Sequence, residues 1–310
     1  MFSNSIKPII NGGTFSVISH HLGGFERLEK AVAPSAFHDA GNTFDPPKRH
    51  PHTRITVDKI MEWVSGLWEE DREAAILWFY GPAGAGKSTI TRKIAELCDL
   101  NKLLLATFFF AHSDPSRNNP KSLVATIAYQ IAINITETRR KVVAAIERDP
   151  LIFNRSLEAQ VAALVVDPLR ERLEAGYFNT SISRRLIIID GLDKCDTPAA
   201  QCKVLDVISL LLQKYHLPVL ILITSRPKRH ITHSFDARFL CKYHTTLGLD
   251  DTYQLAISLR YFHAAQGSSS DEGRYSTYLY KSLPGNSCTH QPRAGSGDNI
   301  RNRYIGFPAA

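Results

Sequence analysis

The sequence predicts an α/β fold, a doubly wound parallel sheet with helices on both faces, and three observations predict it. Short runs with apolar centres (Ile76–Tyr80, Leu103–Phe110, Arg185–Asp190 and Val219–Thr224) have strand length and lack polar alternation, as strands buried on both faces do. Longer amphipathic segments separate these runs, as a parallel sheet with crossover helices requires. A glycine-rich segment, Gly81–Ser88, follows the first run and opens a helical stretch.

Taken in order, the chain starts with a glycine-containing stretch, Asn11–Thr14, a short strand Phe15–Ile18 and a helical stretch near Phe25–Ala33. Ala40–Thr53 holds Asp45-Pro46-Pro47 and His50-Pro51-His52 and is expected to break any helix. Proline lacks the amide donor and pushes the preceding residue out of the helical region. The segment reads as a linker ending in Thr53, an N-cap. Ile60, Trp63, Val64, Leu67 and Trp68 then recur at helical spacing, predicting an amphipathic helix that runs into the charged stretch Glu69–Glu73. Further helices are expected over Ser88–Cys98, Lys121–Ile133, Arg139–Arg148, Leu157–Asp167 and Ala199–Tyr215, with a weaker strand at Phe239–Leu247. The sheet and its helices make a core of roughly 170 residues, an ordinary domain size. Thr252–Ala265 reads as one more helix. From Gly267 the chain loses apolar periodicity and is expected to be irregular or disordered. The expected division is a leader and linker 1–54, a core 55–250, a helical extension 251–266 and a tail 267–310.

Composition narrows the classes. Apolar residues are 44% and charged residues 22% of the 310, values of an ordinary globular protein. No apolar run approaches the roughly 18 residues of a membrane span, and Met1–Gly13 lacks the pattern of a secretory signal. The five cysteines show no CxxC spacing, which points to reduced thiols in the cytosol or nucleus, the cytoplasm being the expected location, rather than to a disulfide framework or zinc module. The net charge of +7 is scattered over small groups such as Lys48–Arg54 and Lys228–His230. No basic run is interleaved with aromatics, so solvated surface charge is the expected reading and neither nucleic acid nor membrane is expected as a partner.

Chemistry concentrates in three places. Gly81-Pro82-Ala83-Gly84-Ala85-Gly86-Lys87-Ser88 fits GxxxxGK[ST], with Thr89 continuing into the helix. The glycines let successive backbone N–H groups curl around phosphate oxygens, and the helix N-terminus adds a favourable dipole. Lys87 would supply charge to the β- and γ-phosphates, and Ser88 a hydroxyl to Mg²⁺. The second place is the strand Arg185–Asp190, whose terminal Asp190 lies where ligands bind in open α/β sheets and would hold Mg²⁺ directly or through water. Asp193 is then the candidate for positioning an attacking water, the plain alternative being a turn residue. The third is Val219–Thr224, followed by Ser225-Arg226. If this strand lies beside the first, Thr224 and Arg226 would face the γ-phosphate; otherwise Arg226 reads as an arginine paired with a nearby carboxylate.

In this order, GPAGAGKST (Gly81–Thr89), LIIIDGLDKCD (Leu186–Asp196) and LILITSRP (Leu220–Pro227) resemble the NACHT group of STAND-class P-loop NTPases. The likeness is strongest to the nephrocystin-like NACHT proteins that abound in mushroom-forming fungi. Thr107–Ala132 is similar to the second-strand block of that family, and Asn11–Phe15 and Ala33–Arg54 to its leader. The resemblance implies an ATP/ADP-binding regulatory switch in signal transduction, ADP-bound at rest, ATP-bound and homo-oligomerising when a sensor engages its ligand. It implies that Thr53 and Arg54 lie near the base or ribose and that Arg117 faces the site. Two departures stand out. Lys194 replaces the family's usual acidic residue, which predicts slow or absent hydrolysis. The chain also ends at Ala310, where the family continues into a winged-helix region and often a repeat-built sensor. Two alternatives remain: a non-enzymatic interaction module clamped by nucleotide, and a P-loop small-molecule kinase, the latter without an arginine-rich lid segment. A GTPase would want N/T-K-x-D, and the nearest approach, Asp193-Lys194-Cys195-Asp196, begins with the wrong residue.

Overall fold

The computed structural model describes residues 23–41, 51–68, 74–178, 184–236 and 240–249. The chain divides into two units, Met1–Gly267 and Ser268–Ala310, and all described residues belong to the first. The expected strand Phe15–Ile18, most of the proline-rich linker, the helix Thr252–Ala265 and the tail lie outside the described residues.

Five strands form one parallel sheet: β1 (Ile76–Tyr80), β2 (Leu104–Phe109), β3 (Arg185–Asp190), β4 (Val219–Ser225) and β5 (His244–Gly248), in the spatial order β2-β3-β4-β1-β5. The strand alternation sorts the core into two layers. Ile76 and Trp78 of β1, Ile187 and Ile189 of β3, and Val219, Ile221 and Ile223 of β4 pack into one. Leu77 and Phe79, Leu186 and Ile188, and Leu220 and Leu222 pack into the other. Strands β1, β3 and β4 are therefore apolar on both faces, which explains the absence of polar alternation in their sequences. In β2 the pairing register shifts between Leu104 and Ala106. Leu105 is the extra residue, and it joins the layer of Ala106 and Phe108 while Leu104 packs on the opposite side.

The layer containing Leu77 and Phe79 is covered by α2 (Pro51–Val64) and α3 (Lys87–Leu100), through Ile60, Trp63, Ile90 and Ile94. The other layer is larger. It holds α1 (Gly24–Ala31), α4 (Leu123–Asn134), α5 (Arg139–Arg148) and α8 (Pro198–Gln213). It also holds a helix that runs from α6 (Leu157–Val161) through a π-turn, Ala162–Val166, into α7 (Asp167–Glu174). Its last helix is α9 (Arg229–Asp236).

Three local differences from the sequence reading have physical causes. Helix α2 begins at Pro51, so Thr53 sits inside it rather than capping it. Proline at the first helical position loses only an N–H that would have no intrahelical partner, and its fixed φ suits a helix start. The segment read as a leader supplies Leu28, Ala33 and Ala36 to the larger core layer, each essentially inaccessible. Ala33 N–H also donates to the buried Thr126 hydroxyl at 3.0 Å. Helix α9, absent from the sequence reading, is held by Ile231 and Phe235, the latter stacked on Trp78 with ring centroids 4.5 Å apart.

Candidate functional site

Because β4 pairs with both β1 and β3, the C-terminal ends of these three strands lie side by side. Each end leads directly into one of the sequence segments singled out above. The loop after β1 returns as α3, with Gly84 and Gly86 at φ of +75° and +86° and Gly86 in the N-cap position. Only glycine adopts such angles without strain, and a Cβ at either would meet nothing within 4 Å, so backbone conformation rather than crowding selects glycine there. At Gly81 the reason is proximity: a Cβ would come within 3.0 Å of Leu249 Cβ.

Together these segments line an open cleft of about 350 Å³. Its walls are residues 83–89 of the loop and helix start, Gly191, Asp193 and Lys194 after β3, and Thr224 and Arg226 at the end of β4. Gly81, Pro82 and Asp190 complete the sequence-predicted set. Gly81 and Asp190 are buried beneath the cleft, whereas Pro82 is exposed.

Lys87 folds back over the loop, its Nζ donating to the carbonyls of Gly81 and Pro82 at 2.7 Å each. Burial pushes this ammonium below the ordinary 10.5, while Asp193 and Asp190 pull the other way. The loop's own oxygens thus hold the lysine until an anion competes for it.

Asp190 is almost inaccessible, and both its oxygens are used. Thr224 Oγ1 donates to Oδ1 at 2.5 Å and Ser88 Oγ to Oδ2 at 2.6 Å. The Thr224 hydroxyl in turn accepts from Gly191 N–H at 2.9 Å, tying β3 to β4. Thr224 therefore faces the carboxylate, although its strand does lie beside β1 as the γ-phosphate reading required.

Asp193 is also buried, and Arg226 takes both its oxygens, the backbone N–H at 3.0 Å on Oδ1 and Nε at 2.5 Å on Oδ2. Lys228 Nζ donates to the Asp193 carbonyl at 2.9 Å. In this arrangement the Asp193 carboxylate clamps Arg226. Arg226 pairs with this carboxylate while also lining the cleft.

Arg117 is fastened within its own loop, Nε to Asp114 Oδ2 at 2.9 Å and a guanidinium nitrogen to the Phe109 carbonyl at 3.3 Å. The Asp114 carboxyl is held well below the usual range, first by the Ser116 hydroxyl and also by Ser35 and Arg117. Arg54 pairs loosely with Asp58 one helical turn on, at 3.9 Å.

The family resemblance marked Lys194 as a departure but gave no sign of where it points. Its Nζ lies 3.2 Å from Ser88 Oγ, to which it donates, and 3.7 Å from Asp190 Oδ2. Ser88 and Asp190 are oxygen donors of the kind Mg²⁺ takes, but an ammonium already stands against both. Among the described residues no group of three or more His, Cys, Asp or Glu side chains converges as a metal cage. As arranged, this donor pair does not fit a divalent cation.

Comparison with known proteins gives one family. The model of the nephrocystin 3 N-terminal region matches residues 57–226, over half of the chain. Among solved structures, the chain is similar to a chain of Drosophila ORC bound to AT-rich DNA and Cdc6, at 12% identity and a TM-score of 0.40, covering 83% of this chain and 38% of that one. A structure of Drosophila ORC bound to DNA gives 13% identity, a TM-score of 0.39 and coverages of 83% and 40%. The chain thus spans about two fifths of the length of these structural relatives. Among curated proteins no relative matches.

Proposed function

The chain belongs to the nephrocystin 3 N-terminal family, and from that premise we propose that it binds ATP and ADP in the cleft above the strand ends and works as a NACHT-type regulatory switch with slow or no hydrolysis. The observation that carries the reading is the meeting of Gly81–Ser88 with Asp190 and Thr224 at the edge of three adjacent parallel strands. Ligands of open α/β sheets bind at that edge. The loop amides and the N-terminus of α3 suit phosphate, and Lys87 is an ammonium held only by carbonyls that a phosphate would outcompete.

Slow or absent turnover follows from the two carboxylates. Each Asp190 oxygen already accepts from a hydroxyl and each Asp193 oxygen from Arg226, an arrangement that supports slow transfer of a proton from water. A switch of this kind changes state through exchange and γ-phosphate contacts, with homo-oligomerisation in the ATP state, an effector and a sensor as its partners, and the cytoplasm as its setting. The clamp alternative shares the binding site and differs in having no state change. A kinase reading needs an acceptor pocket, and no observation favours it.

Calorimetric titration of ADP and ATP tests the reading. Wild type is expected to bind both. Lys87→Ala is expected to lose at least about a hundredfold in affinity, since a charge-assisted contact to phosphate is removed. Unchanged affinity in Lys87→Ala would sink the assignment of the site. Single-turnover ATPase measurements on wild type and Asp190→Ala then divide switch from clamp. Slow turnover that Asp190→Ala loses is expected of the switch, whereas wild type matching Asp190→Ala while still binding nucleotide would favour the clamp.

A further inference from the structure

Ser88 and Asp190 already face a cation of the protein's own chain, the Lys194 ammonium. We propose that the Lys194 ammonium is the resident counter-cation of the phosphate cleft, so that the chain binds nucleoside di- and triphosphates without Mg²⁺. This rests on the nucleotide reading of the cleft and adds to it the source of positive charge.

The hydrogen bonds run in one direction, from Lys194 Nζ to Ser88 Oγ and from Ser88 Oγ to Asp190 Oδ2. The serine lone pair that would coordinate a metal is thereby accepting from the ammonium. Oδ2 of Asp190 accepts from Ser88 and lies 3.7 Å from the ammonium, and Oδ1 accepts from Thr224. Mg²⁺ demands near-octahedral oxygen ligation at about 2.0–2.1 Å and gives up water reluctantly, so entering this set would mean expelling a like charge.

The turn after β3 is shaped for the lysine. Gly191 has φ of +69°, and Leu192–Lys194 forms a single 3₁₀ turn closed by Lys194 N–H donating to Gly191 carbonyl at 2.8 Å. The lysine stem then doubles back across Gly191. A Cβ on residue 191 would come within 2.9 Å of Lys194 Cδ and 3.0 Å of Nζ. The backbone angle selects glycine there, and the absence of a Cβ leaves the lysine stem its path. The ammonium also faces the ligand side, since Lys194 lines the cleft with Lys87 and Arg226 and its side chain is 38% exposed. A β-phosphate on the loop amides would meet Lys87 and Lys194, with no bridging ion needed to offset Asp190.

The test is calorimetric titration of ADP into the full chain, once in excess EDTA and once in millimolar Mg²⁺. Wild type is expected to bind equally well in both, within about twofold, whereas Lys194→Gln is expected to lose about tenfold or more in EDTA and to recover with Mg²⁺. Wild-type affinity about tenfold lower in EDTA than in Mg²⁺ would overturn the proposal, as would Lys194→Gln matching wild type in EDTA. No binding by folded wild type in either condition would instead remove the nucleotide reading, and this inference with it. The wild-type comparison decides the matter by itself if the variant does not fold.

Discussion

Asp193 shows how much a single side chain's partner decides. Its carboxylate is 5% exposed and is held by Arg226, whose side chain is 47% exposed. A buried carboxylate without its hydrogen-bonding cation keeps its desolvation penalty, but the half-exposed guanidinium is screened, so the pair is worth less than a fully buried one. Arg226→Ala is therefore expected to destabilise the protein by about 1–2 kcal/mol, read as a lower urea midpoint at unchanged slope. Arg226→Lys is expected to lose less. A midpoint shift equivalent to only a few tenths of a kcal/mol would mean that the backbone N–H alone satisfies Asp193. The sequence disclosed both residues but not their pairing, because they are 33 positions apart and meet only where β3 and β4 are neighbours. Lys194 stood out only against the family's pattern, and its direction is set in the Gly191 turn.

Among elements, the open hydrogen-bonding edge of β2 is covered by α4. Gln130 binds the β2 backbone at Thr107 as a third strand would, its Oε1 accepting from Thr107 N–H at 2.9 Å and its Nε2 donating to the Thr107 carbonyl at 2.7 Å. Asn134 Nδ2 donates to the Leu105 carbonyl at 2.9 Å, next to the register shift. An unpaired edge strand invites pairing with another chain, and these amides occupy the groups that would do so. Gln130→Ala is expected to lower stability by about 1–3 kcal/mol and to raise aggregation on heating, checked by urea denaturation and light scattering. Gln130→Glu is expected to lose the Thr107 carbonyl bond and to set a carboxylate against it, with a loss at least as large. The major strands and helices were legible because each carries a long apolar run or a 3.6-residue period. Helix α9 was not, because two apolar residues in eight leave no period to see, and its place is set by stacking on Trp78. The start of α2 was missed for the opposite reason: Pro51 was read as a breaker, although the first turn is where proline belongs.

For the whole molecule, the cleft is the place where elements of the two core layers converge. The loop after β1 leads into α3, which packs in one layer, and the same strand sends Ile76 and Trp78 into the other. Asp190 and Thr224 join β3 to β4 at the same edge. A nucleotide held there should stabilise the sheet and both layers together rather than order a loop alone. Ligand at about a hundred times Kd adds about 2.7 kcal/mol, and for a domain of this size that raises the unfolding midpoint by about 5–10 °C. Thermal unfolding of wild type with saturating ADP is expected to show that rise in a single transition. Gln130→Ala and Arg226→Ala are expected to start lower. Gln130→Ala should gain the same increment, because its side chain lies on β2 and outside the cleft, whereas Lys87→Ala should gain none. If calorimetry detects binding while the main transition stays put, the loop is ordering independently of the sheet. Asp190 would then not be the tie between ligand and core.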